Sequence, residues 1–249
     1  MQFSIITVCY NAGYSITKTI TSVLDQEEID YEYIIIDGKS SDNTLEIAYS
    51  YKLLFKEKGI SYTIISEKDS GIYNAMNKAL DYSNGAFIFY LNSGDTFYNN
   101  QVLKNVKQLM SPKYCVYYGD TASIGKSKKI LPSGKIEELR YRLPFCHQSV
   151  FTSSELMKLY KFDEYYNICA DYDFFVKIYL NYGEDVFNKV DSIISNYMEE
   201  GFSTTDGGIK ARMEMAEIRK NNHFISVIEY RLIIFKLKVK KIIKGLKLL

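Results

Sequence analysis

The sequence lacks an excess of charge of either sign. Its 249 residues carry 31 Lys and Arg against 30 Asp and Glu, which gives a formal net charge of +1. Proteins that bind nucleic acid concentrate a basic excess on the domain that does so, and this balance therefore argues against nucleic acid as a partner. A hydrophobic content of 47% and a charged content of 24% are typical of an ordinary globular protein with one large domain or two small ones.

Long apolar runs and a leader are also missing. No stretch reaches about 18 uninterrupted apolar residues, so no membrane-spanning helix is expected. The first residues, MQFSIITVCYN, have no basic start and become polar after Cys9, which predicts that there is no signal peptide. The cysteines show no CxxC spacing, which favours reduced, buried thiols in a cytosolic protein. They are Cys9, Cys115, Cys146 and Cys169.

The glycine-rich signatures of common nucleotide-binding folds are missing as well. No GxGxxG follows the first apolar run, and the chain contains no GxxxxGK[ST] loop. Both motifs bring backbone N–H groups close to phosphate, so their absence disfavours a dehydrogenase or a P-loop NTPase.

Short apolar runs alternate with amphipathic helical patterns over the first 120 residues. This alternation predicts an α/β fold with a mostly parallel sheet flanked by helices. Strands are predicted at residues 3–9, 31–37, 61–67, 86–92 and 114–120, and helices at 15–26, from about 44 to 58, and 72–82. The later pattern is looser and predicts a loop or short hairpin at 121–145, a strand at 146–151, and helices at 171–182 and 209–222.

Polar and acidic residues follow the predicted strands. Parallel strands all end on the same side of a sheet, and open parallel sheets bind ligands beyond those ends. Several carboxylates at one edge repel each other unless a divalent cation or a hydroxyl-rich ligand offsets the repulsion. The pattern therefore predicts a ligand site built from strand tips. The residues are Tyr10 and Asn11, Asp37, Glu67 and Asp69, Asp95, and Asp120.

Several segments, in this order, resemble the family 2 glycosyltransferases, which have a GT-A fold. They are DGKSSDNT at 37–44, SEKDSGIYNAMNKAL at 66–80, LNSGD at 91–95, CHQ at 146–148 and ADYDFF at 170–175. The last two resemble segments of the branch that builds bacterial surface polysaccharides, and the resemblance covers about residues 2–205. It departs from the family where many relatives have paired aspartates, because this chain has Gly94 before Asp95.

The resemblance implies roles for particular residues. Asp95 would hold Mg²⁺ or Mn²⁺, and Asp171 would act as the general base, with Asp173 as the second candidate. His147 and Gln148 would face the acceptor or the diphosphate. The donor would be bound by Tyr10, Asn11, Asp37, Asp69, Asn92 and Ser93.

Residues 231–249 differ from the rest of the sequence in composition and pattern. Residues 231–249 carry seven basic residues and no acid, with apolar residues on one side of a helical wheel and lysines on the other. This pattern predicts a helix that lies in the membrane interface, and a helix docked on the protein's own core is the alternative. We therefore expect a GT-A domain at 1–222, with a nucleotide-sugar-binding part at 1–120 and an acceptor part at 121–222, followed by a membrane-surface helix at 223–249.

Together these features predict a metal-dependent, inverting glycosyltransferase, peripheral on the cytoplasmic face of the cell membrane. It would move a sugar from a nucleotide-sugar to a hydroxyl of a lipid-linked or growing cell-surface glycan. A polyprenyl-phosphate sugar synthase is an alternative, weakly indicated by Arg140 and Arg142. A non-catalytic nucleotide-sugar-binding protein is another, indicated by Gly94 in place of an aspartate.

Overall fold

The computed structural model describes residues 1–110, 115–125, 127–198 and 208–246, and it describes side chains up to residue 242. In this part of the chain the strands form one nine-stranded sheet. The strands are β1 (Phe3–Cys9), β2 (Tyr31–Asp37), β3 (Ser61–Ser66), β4 (Phe87–Tyr90), β5 (Thr96–Phe97), β6 (Val116–Ile124), β7 (Lys128–Leu131), β8 (Val150–Ser153) and β9 (Phe187–Met198). The α-helices are α1 (Ile16–Leu24), α2 (Thr44–Ser50), α3 (Lys52–Glu57), α4 (Ile72–Ala79), α5 (Val102–Lys107), α6 (Ser154–Tyr160), α7 (Ala170–Tyr182), α8 (Ile209–Asn221) and α9 (Val227–Leu246).

The sheet has a parallel half and a mixed half. Its order is β3-β2-β1-β4-β8-β6-β9-β5, with β7 paired to β6. The first four strands in this order are parallel, as predicted, and β6 is parallel to β9. β8 runs antiparallel to both of its neighbours, and β5 and β7 are antiparallel additions. The antiparallel strands all come from the region after β4, where strand and helix patterns no longer alternate.

The central strands are buried on both faces, which explains their nearly continuous apolar sequences. Every residue of β1 and of β2 is buried. Because side chains alternate along a strand, Ile6 and Val8 enter one hydrophobic core, while Phe3 and Ile5 enter a second core on the opposite face. The helices cover both faces, and the strand tips are left at one edge of the sheet.

Several predicted boundaries move in the structure. The helix expected from 44 to 58 is interrupted at Tyr51, and the one expected at 72–82 ends as a 3-10 turn after Ala79. The strand expected at 146–151 begins at Val150, after a 3-10 turn. The expected hairpin within 121–145 is present as the pairing of β6 with β7. β5, β9, α5 and α6 have no counterpart in the sequence-based prediction.

Asp120 is not at a strand tip, contrary to the sequence-based prediction. β6 continues to Ile124, and the Asp120 carboxylate accepts hydrogen bonds from the backbone N–H and the hydroxyl of Ser133, at 2.8 and 2.9 Å. It therefore fastens the segment after β7 to the sheet. The expected division of the domain at residue 120 also falls within this strand.

Candidate functional site

The loops after β1 and β2 are fastened to each other by hydrogen bonds. Asp37 ends β2 with no exposed surface, and its Oδ2 accepts from the Ser40 N–H at 3.0 Å and the Ser66 hydroxyl at 2.7 Å. Asn11 has a left-handed backbone, with φ 47°. Its Oδ1 accepts from the Ser41 N–H at 2.9 Å. Asp37 and Asn11 thus hold the loop after β2 in place. A ligand would contact the outer surface of this loop.

Tyr10 and Asp69 flank that loop on its open side. A Cβ placed on Gly38 would lie 2.6 Å from the Asp69 Oδ2 and 3.5 Å from the Tyr10 Cβ, so both side chains border the glycine. Tyr10 is 66% exposed, and the Asp69 Oδ1 accepts from the Gly71 N–H at 3.0 Å. An exposed aromatic ring beside a carboxylate is suited to a planar, hydrogen-bonding ligand.

The turn after β4 is hydrogen-bonded to α1. The Gly94 N–H donates to the Thr19 hydroxyl oxygen at 2.9 Å, and that hydroxyl donates to the Asp95 carbonyl at 2.8 Å. The hydroxyls of Ser93 and Ser15 are 3.1 Å apart. Gly94 has φ 103°, a conformation that L side chains rarely adopt, although the nearest atom to an added Cβ is 3.8 Å away. Backbone conformation, and not lack of space, therefore favours glycine here.

Asp95 is buried in this turn, with 5% of its surface exposed. Its Oδ1 accepts from the Met198 N–H at 3.0 Å. Burial raises the pKa of Asp95 to about 7, although the Met198 N–H and the nearby Lys18 ammonium act in the opposite direction. A carboxylate at this position is costly unless a cation or a strong donor accompanies it.

The surroundings of Asp95 fit a cation that a ligand helps to hold. Within the described ranges, no group of three or more His, Cys, Asp or Glu side chains is arranged as a metal site. Asn92, at the same strand tip, has a buried Oδ1 that lacks a hydrogen-bond partner among the described residues. Mg²⁺ and similar hard ions are often held by one or two carboxylates together with phosphate oxygens and waters, and one carboxylate is what this tip offers.

Asp171 lies in the first turn of α7, in contact with α4. Its Oδ1 accepts from the Tyr172 N–H at 2.9 Å and lies 3.1 Å from the Tyr73 hydroxyl. That hydroxyl is also 2.7 Å from the Ile168 carbonyl. The carboxylate is only half-buried, and two fixed groups orient it. It has the accessibility and the orientation that a general base requires.

The segment 146–148 is close enough to Asp95 and Asp171 for both charges to act on it. Burial raises the pKa of the Cys146 thiol to about 12, and the charges of both carboxylates add to this shift, so both are within electrostatic range of the thiol. The thiol donates to the Gln148 Oε1 at 2.8 Å. The charge of Asp171 acts on both Cys146 and His147, and that of Asp95 acts on Cys146, which is hydrogen-bonded to Gln148.

His147 presents two buried ring nitrogens that have no hydrogen-bond partner in the described chain. Its ring stacks on Tyr90 and meets the edge of Phe162, with both centroid distances at 5.6 Å. Burial lowers the pKa of His147, and the Asp171 charge opposes that shift. A neutral imidazole offers one donor and one acceptor, and Asp171 is near enough for its charge to act on this ring.

Asp173, the second base candidate, lies on a different side of α7 from Asp171. Two residues along a helix are about 200° apart, and Asp173 faces the side opposite Asp171. Its Oδ2 lies 2.6 Å from the Lys177 ammonium, which is also 3.6 Å from Asp163. Burial raises the pKa of Asp173 and the Lys177 ammonium lowers it. Asp173 is therefore paired with Lys177 of the same helix.

Glu214 on α8 is a residue that sequence reasoning missed. Its carboxylate accepts three consecutive backbone N–H groups just before α7, from Asn167 at 3.2 Å and from Ile168 and Cys169 at 2.9 Å each. These groups lie within four residues of Asp171. Glu214 therefore fixes the start of the helix that carries the candidate base.

We expect Glu214→Ala to lower the free energy of unfolding by about 2 kcal/mol or more, because three N–H groups lose a charged acceptor. Urea denaturation measures this loss. Glu217→Ala is the matched control, since that side chain lies one turn further along α8 and accepts, from the described residues, one hydrogen bond, donated by the Tyr165 hydroxyl at 3.3 Å. Equal losses in the two variants would contradict this role for Glu214.

Comparison with known proteins gives consistent matches. A sequence model of the family described as "Glycosyl transferase family 2" matches residues 4–172. A PGL/p-HBAD biosynthesis glycosyltransferase of Mycobacterium bovis is 27% identical over 184 residues, which cover 72% of this chain and 70% of that protein. The UDP-Glc:alpha-D-GlcNAc-diphosphoundecaprenol beta-1,3-glucosyltransferase WfgD of Escherichia coli is 33% identical over 118 residues, which cover 47% of this chain and 44% of that protein.

Solved structures show the same fold. S. aureus TarS 1–349 in complex with UDP superposes with a TM-score of 0.70 at 19% identity, covering 95% of this chain and 70% of that one. The mannosyltransferase PcManGT from Pyrobaculum calidifontis, in complex with GDP-Man and Mn²⁺, gives a TM-score of 0.61 at 17% identity, covering 89% and 62%. At these identities the likeness shows the fold alone, and this fold is GT-A, as predicted.

Proposed function

Because this chain belongs to glycosyl transferase family 2, we propose that it moves a sugar from a nucleoside-diphosphate sugar to a hydroxyl of a cell-surface glycan. The observation that supports this proposal is a pair of unlike carboxylates whose charges both act on the Cys146 thiol. Asp95 is buried in the turn after β4, and Asp171 is half-buried at the start of α7. One carboxylate is suited to the diphosphate side and the other to the acceptor hydroxyl.

The proposed reaction is a single displacement at the anomeric carbon. The acceptor oxygen forms a bond to that carbon as its proton passes to an oxygen of Asp171. The bond from the carbon to the diphosphate oxygen breaks, and the diphosphate leaves with the electron pair, so the configuration inverts. Mg²⁺ or Mn²⁺, when bound with the donor at Asp95, would neutralise charge on the diphosphate. The Mn²⁺ in the structural neighbour supports this assignment.

The strand tips of β1, β2 and β3 would bind the nucleoside. Tyr10 offers an exposed ring for stacking, and Asp69 offers an acceptor for the base or ribose. Asp37 and Asn11 would act by holding the loop in place, because both are already bound to it. Asn92 and Ser93 lie at the turn that contains Asp95 and would contact the sugar or the diphosphate. The UDP in the TarS structure makes uridine nucleotides the first donors to test.

The proposal is tested by a panel of nucleotide-sugars with and without Mn²⁺. We expect one donor to raise the Tm only when the metal is present, and to be converted slowly to its nucleoside diphosphate. A hundredfold excess of ligand over Kd contributes about 2.7 kcal/mol of stabilisation. Donor binding without any release of nucleoside diphosphate, with or without acceptor, would favour the non-catalytic alternative. Transfer to a polyprenyl phosphate would favour the synthase alternative.

The acceptor is proposed to be lipid-linked, because the E. coli relative acts on a GlcNAc-diphosphoundecaprenol. The described residues contain no helix that is long and apolar enough to cross a membrane. Access to a lipid-linked acceptor would then depend on a surface helix, and α9 has the features of one. All four cysteines are free thiols, which suits the cytoplasmic face.

α9 has two apolar faces. One face packs on the protein, with Leu237 8% exposed and Tyr230, Ile233 and Ile234 half-buried. The other face is a stripe at helical spacing that we call the outer stripe; it consists of Ile228, Leu232, Phe235, Val239 and Ile242, each between 38% and 72% exposed. The helix docks on α8 and still exposes an apolar face, which supports the proposal that it lies on a membrane surface. Residues 247–249, and the side chains from 243 onward, lie outside the described part of the chain.

We expect Phe235→Glu together with Ile242→Glu to abolish binding to anionic vesicles. The outer stripe is bordered by Arg231, Lys236 and Lys238, and basic residues near an anionic surface contribute about 1 kcal/mol each. Liposome flotation measures the binding, which should weaken as salt increases. Leu53→Glu is the matched control, because Leu53 is 62% exposed but lies on α3. Equal flotation of both variants and the wild type would contradict a membrane role for α9.

A further inference from the structure

Helix α4 is fastened to the loop that carries Asp69. The Lys78 ammonium, near the end of the helix, lies 2.9 Å from the Glu67 carboxylate and donates to the Lys68 carbonyl at 2.8 Å. The loop before the helix is therefore held against the helix itself. The function proposed above uses Asp69 from this part of the chain and leaves α4 without a role.

The same helix holds the segment that leads into α7. The Asn77 Nδ2 donates to the Phe162 carbonyl at 2.9 Å, and its Oδ1 accepts from the Phe162 N–H at 2.8 Å. The Glu164 carboxylate accepts from the side-chain amides of Asn74 and Asn77, at 3.0 Å each. Glu214 binds the later part of this segment from α8. The start of α7 is thus held by α4 and by α8.

Tyr73 is the residue of α4 that reaches the candidate base. Its ring is buried and packs on Phe162, with the ring centroids 5.2 Å apart. Burial and the Asp171 charge raise the pKa of Tyr73 well above its usual value, so the hydroxyl keeps its proton near neutral pH. This single proton has two acceptors within reach, the Ile168 carbonyl at 2.7 Å and the Asp171 Oδ1 at 3.1 Å.

The two carboxylate oxygens of Asp171 are held differently. The Tyr73 hydroxyl and the Tyr172 N–H both donate to Oδ1. No described residue donates a hydrogen bond to Oδ2. The lone pairs of Oδ1 are therefore engaged, and Oδ2 is the oxygen left to accept a proton.

We propose that Tyr73 is the positioning residue of the base: its hydroxyl holds Oδ1 of Asp171, so that Oδ2 takes the proton of the acceptor hydroxyl. While the carboxylate is charged, the Tyr73 hydroxyl donates to it, because hydrogen bonds to ionised acceptors are the stronger ones. As Oδ2 takes the proton, that charge disappears, and the Tyr73 hydroxyl turns its own proton toward the Ile168 carbonyl. No proton passes through Tyr73. This inference rests on the proposed function, since it takes Asp171 as the base.

The attachments of α4 give this contact its consequence. Because the helix is fastened both to the loop that carries Asp69 and to the segment before α7, Tyr73 sets the position of Asp171 relative to the proposed donor side. A misplacement of about 1 Å in a reacting group can cost roughly 10²-fold in rate. Loss of the hydroxyl should therefore slow the reaction without weakening the donor.

The test is Tyr73→Phe, which removes the hydroxyl and keeps the ring. We expect kcat to fall about tenfold or more while the donor Kd stays within about twofold. Tyr31→Phe is the matched control, because the Tyr31 hydroxyl is also buried and donates to a helix carbonyl, that of Val23 at 2.7 Å, but lies on β2. The control should keep its kcat, and urea denaturation of both variants separates a loss of stability from a loss of rate.

A double-mutant cycle identifies the residue through which Tyr73 acts. In the Asp171→Asn background, Tyr73→Phe should change kcat by less than about twofold, because no base remains to be positioned. An unreduced loss in that background shows that Tyr73 acts independently of Asp171 and overturns the proposal. A kcat for Tyr73→Phe within about twofold of wild type, or an equal loss in Tyr31→Phe, also overturns it.

The same set of variants distinguishes this inference from the proposed function. If Asp171→Asn alone keeps the wild-type kcat, the assignment of the base fails, and the positioning role fails with it. If Asp171→Asn is inactive and Tyr73→Phe is as active as the wild type, the proposed function stands and only the positioning role is wrong.

Discussion

Asp171→Asn is expected to lower kcat by about 10²–10⁴-fold and to leave the affinity for the donor within about twofold. This range is the usual contribution of general base catalysis. The acceptor hydroxyl loses its proton only as it attacks the sugar, so the base acts in the transition state. Because the Asn amide accepts no proton, the variant loses this transition-state interaction, while donor binding stays intact. Steady-state kinetics with the donor identified by the panel, and a separate measurement of donor Kd, check both parts.

This substitution should remove the charge of residue 171 and keep the local structure. Asn retains the Oδ1 that accepts from the Tyr172 N–H and lies near the Tyr73 hydroxyl, so the start of α7 should keep its conformation. Asp173→Asn is the comparison, because it makes the same chemical change two residues later on the buried face that binds Lys177. A kcat for Asp171→Asn within about threefold of wild type, or a larger loss for Asp173→Asn, would exclude Asp171 as the base.

Local patterns in the sequence were sufficient to predict the first half of the fold. β1 and β2 are apolar runs with turn residues at both ends, and the helices between them have clear apolar faces. The resulting parallel order brings the loops after β1, β2 and β3 together without further information. The prediction of a ligand site at these tips followed from this order, because parallel strands end on one side of the sheet.

The second half depends on contacts that no local pattern contains. β9, with the sequence FNKVDSIISNYM, is only partly buried and pairs with β6 through a bulge, so its apolar residues do not alternate regularly. Glu214 binds N–H groups 45–47 residues earlier in the chain. Asp120 looked like a strand tip because the polar residues after it resemble a loop, yet it lies within β6. Long-range pairing decided each of these cases.

The tail shows why composition alone left two alternatives open. A helical wheel with apolar residues on one arc fits a helix on a membrane and a helix on a protein core equally well. In the structure, Leu237 points to the protein while Phe235 and Ile242 point outward, so the helix has an inner and an outer apolar face. The distinction depends on which residues α8 covers, and sequence periodicity does not contain that information.

Asp95→Asn is expected to abolish metal-dependent donor binding and, above pH 7, to make the protein without ligand more stable than the wild type. The first effect follows because a neutral amide is a poor ligand for Mg²⁺ or Mn²⁺. The second follows from burial, which raises the pKa of Asp95 from 3.8 to about 7. Asn carries no charge to bury, and its Oδ1 can still accept the Met198 N–H. A gain of stability with a loss of binding would mark Asp95 as a residue kept for its ligand.

The sign of the pH dependence can be worked out from that pKa. Between pH 3.8 and about 7 the folded protein holds a proton on Asp95 that the unfolded chain has lost, so the free energy of unfolding falls as the pH rises through this window. The whole penalty is present above pH 7 and amounts to a few kcal/mol, since one pKa unit corresponds to about 1.4 kcal/mol. The advantage of Asp95→Asn should therefore be full at pH 8 and absent at pH 4. Metal affinity of the wild type should fall below pH 7, because the proton and the metal ion compete for one carboxylate.

Urea denaturation at pH 4, 6 and 8, with and without donor and Mn²⁺, measures both effects in one set of samples. Asp191→Asn is the control, because that carboxylate is exposed on β9 and the same change there should alter stability little at any of these pH values. Donor with Mn²⁺ should stabilise the wild type and the Asp191→Asn variant but not Asp95→Asn.

If Asp95→Asn is destabilised at pH 8, the carboxylate is needed for the fold itself, and its burial serves the turn at Gly94 and not a ligand. If the variant is stabilised and donor binding still depends on Mn²⁺, the metal is held by other groups, and Asp95 is not its ligand.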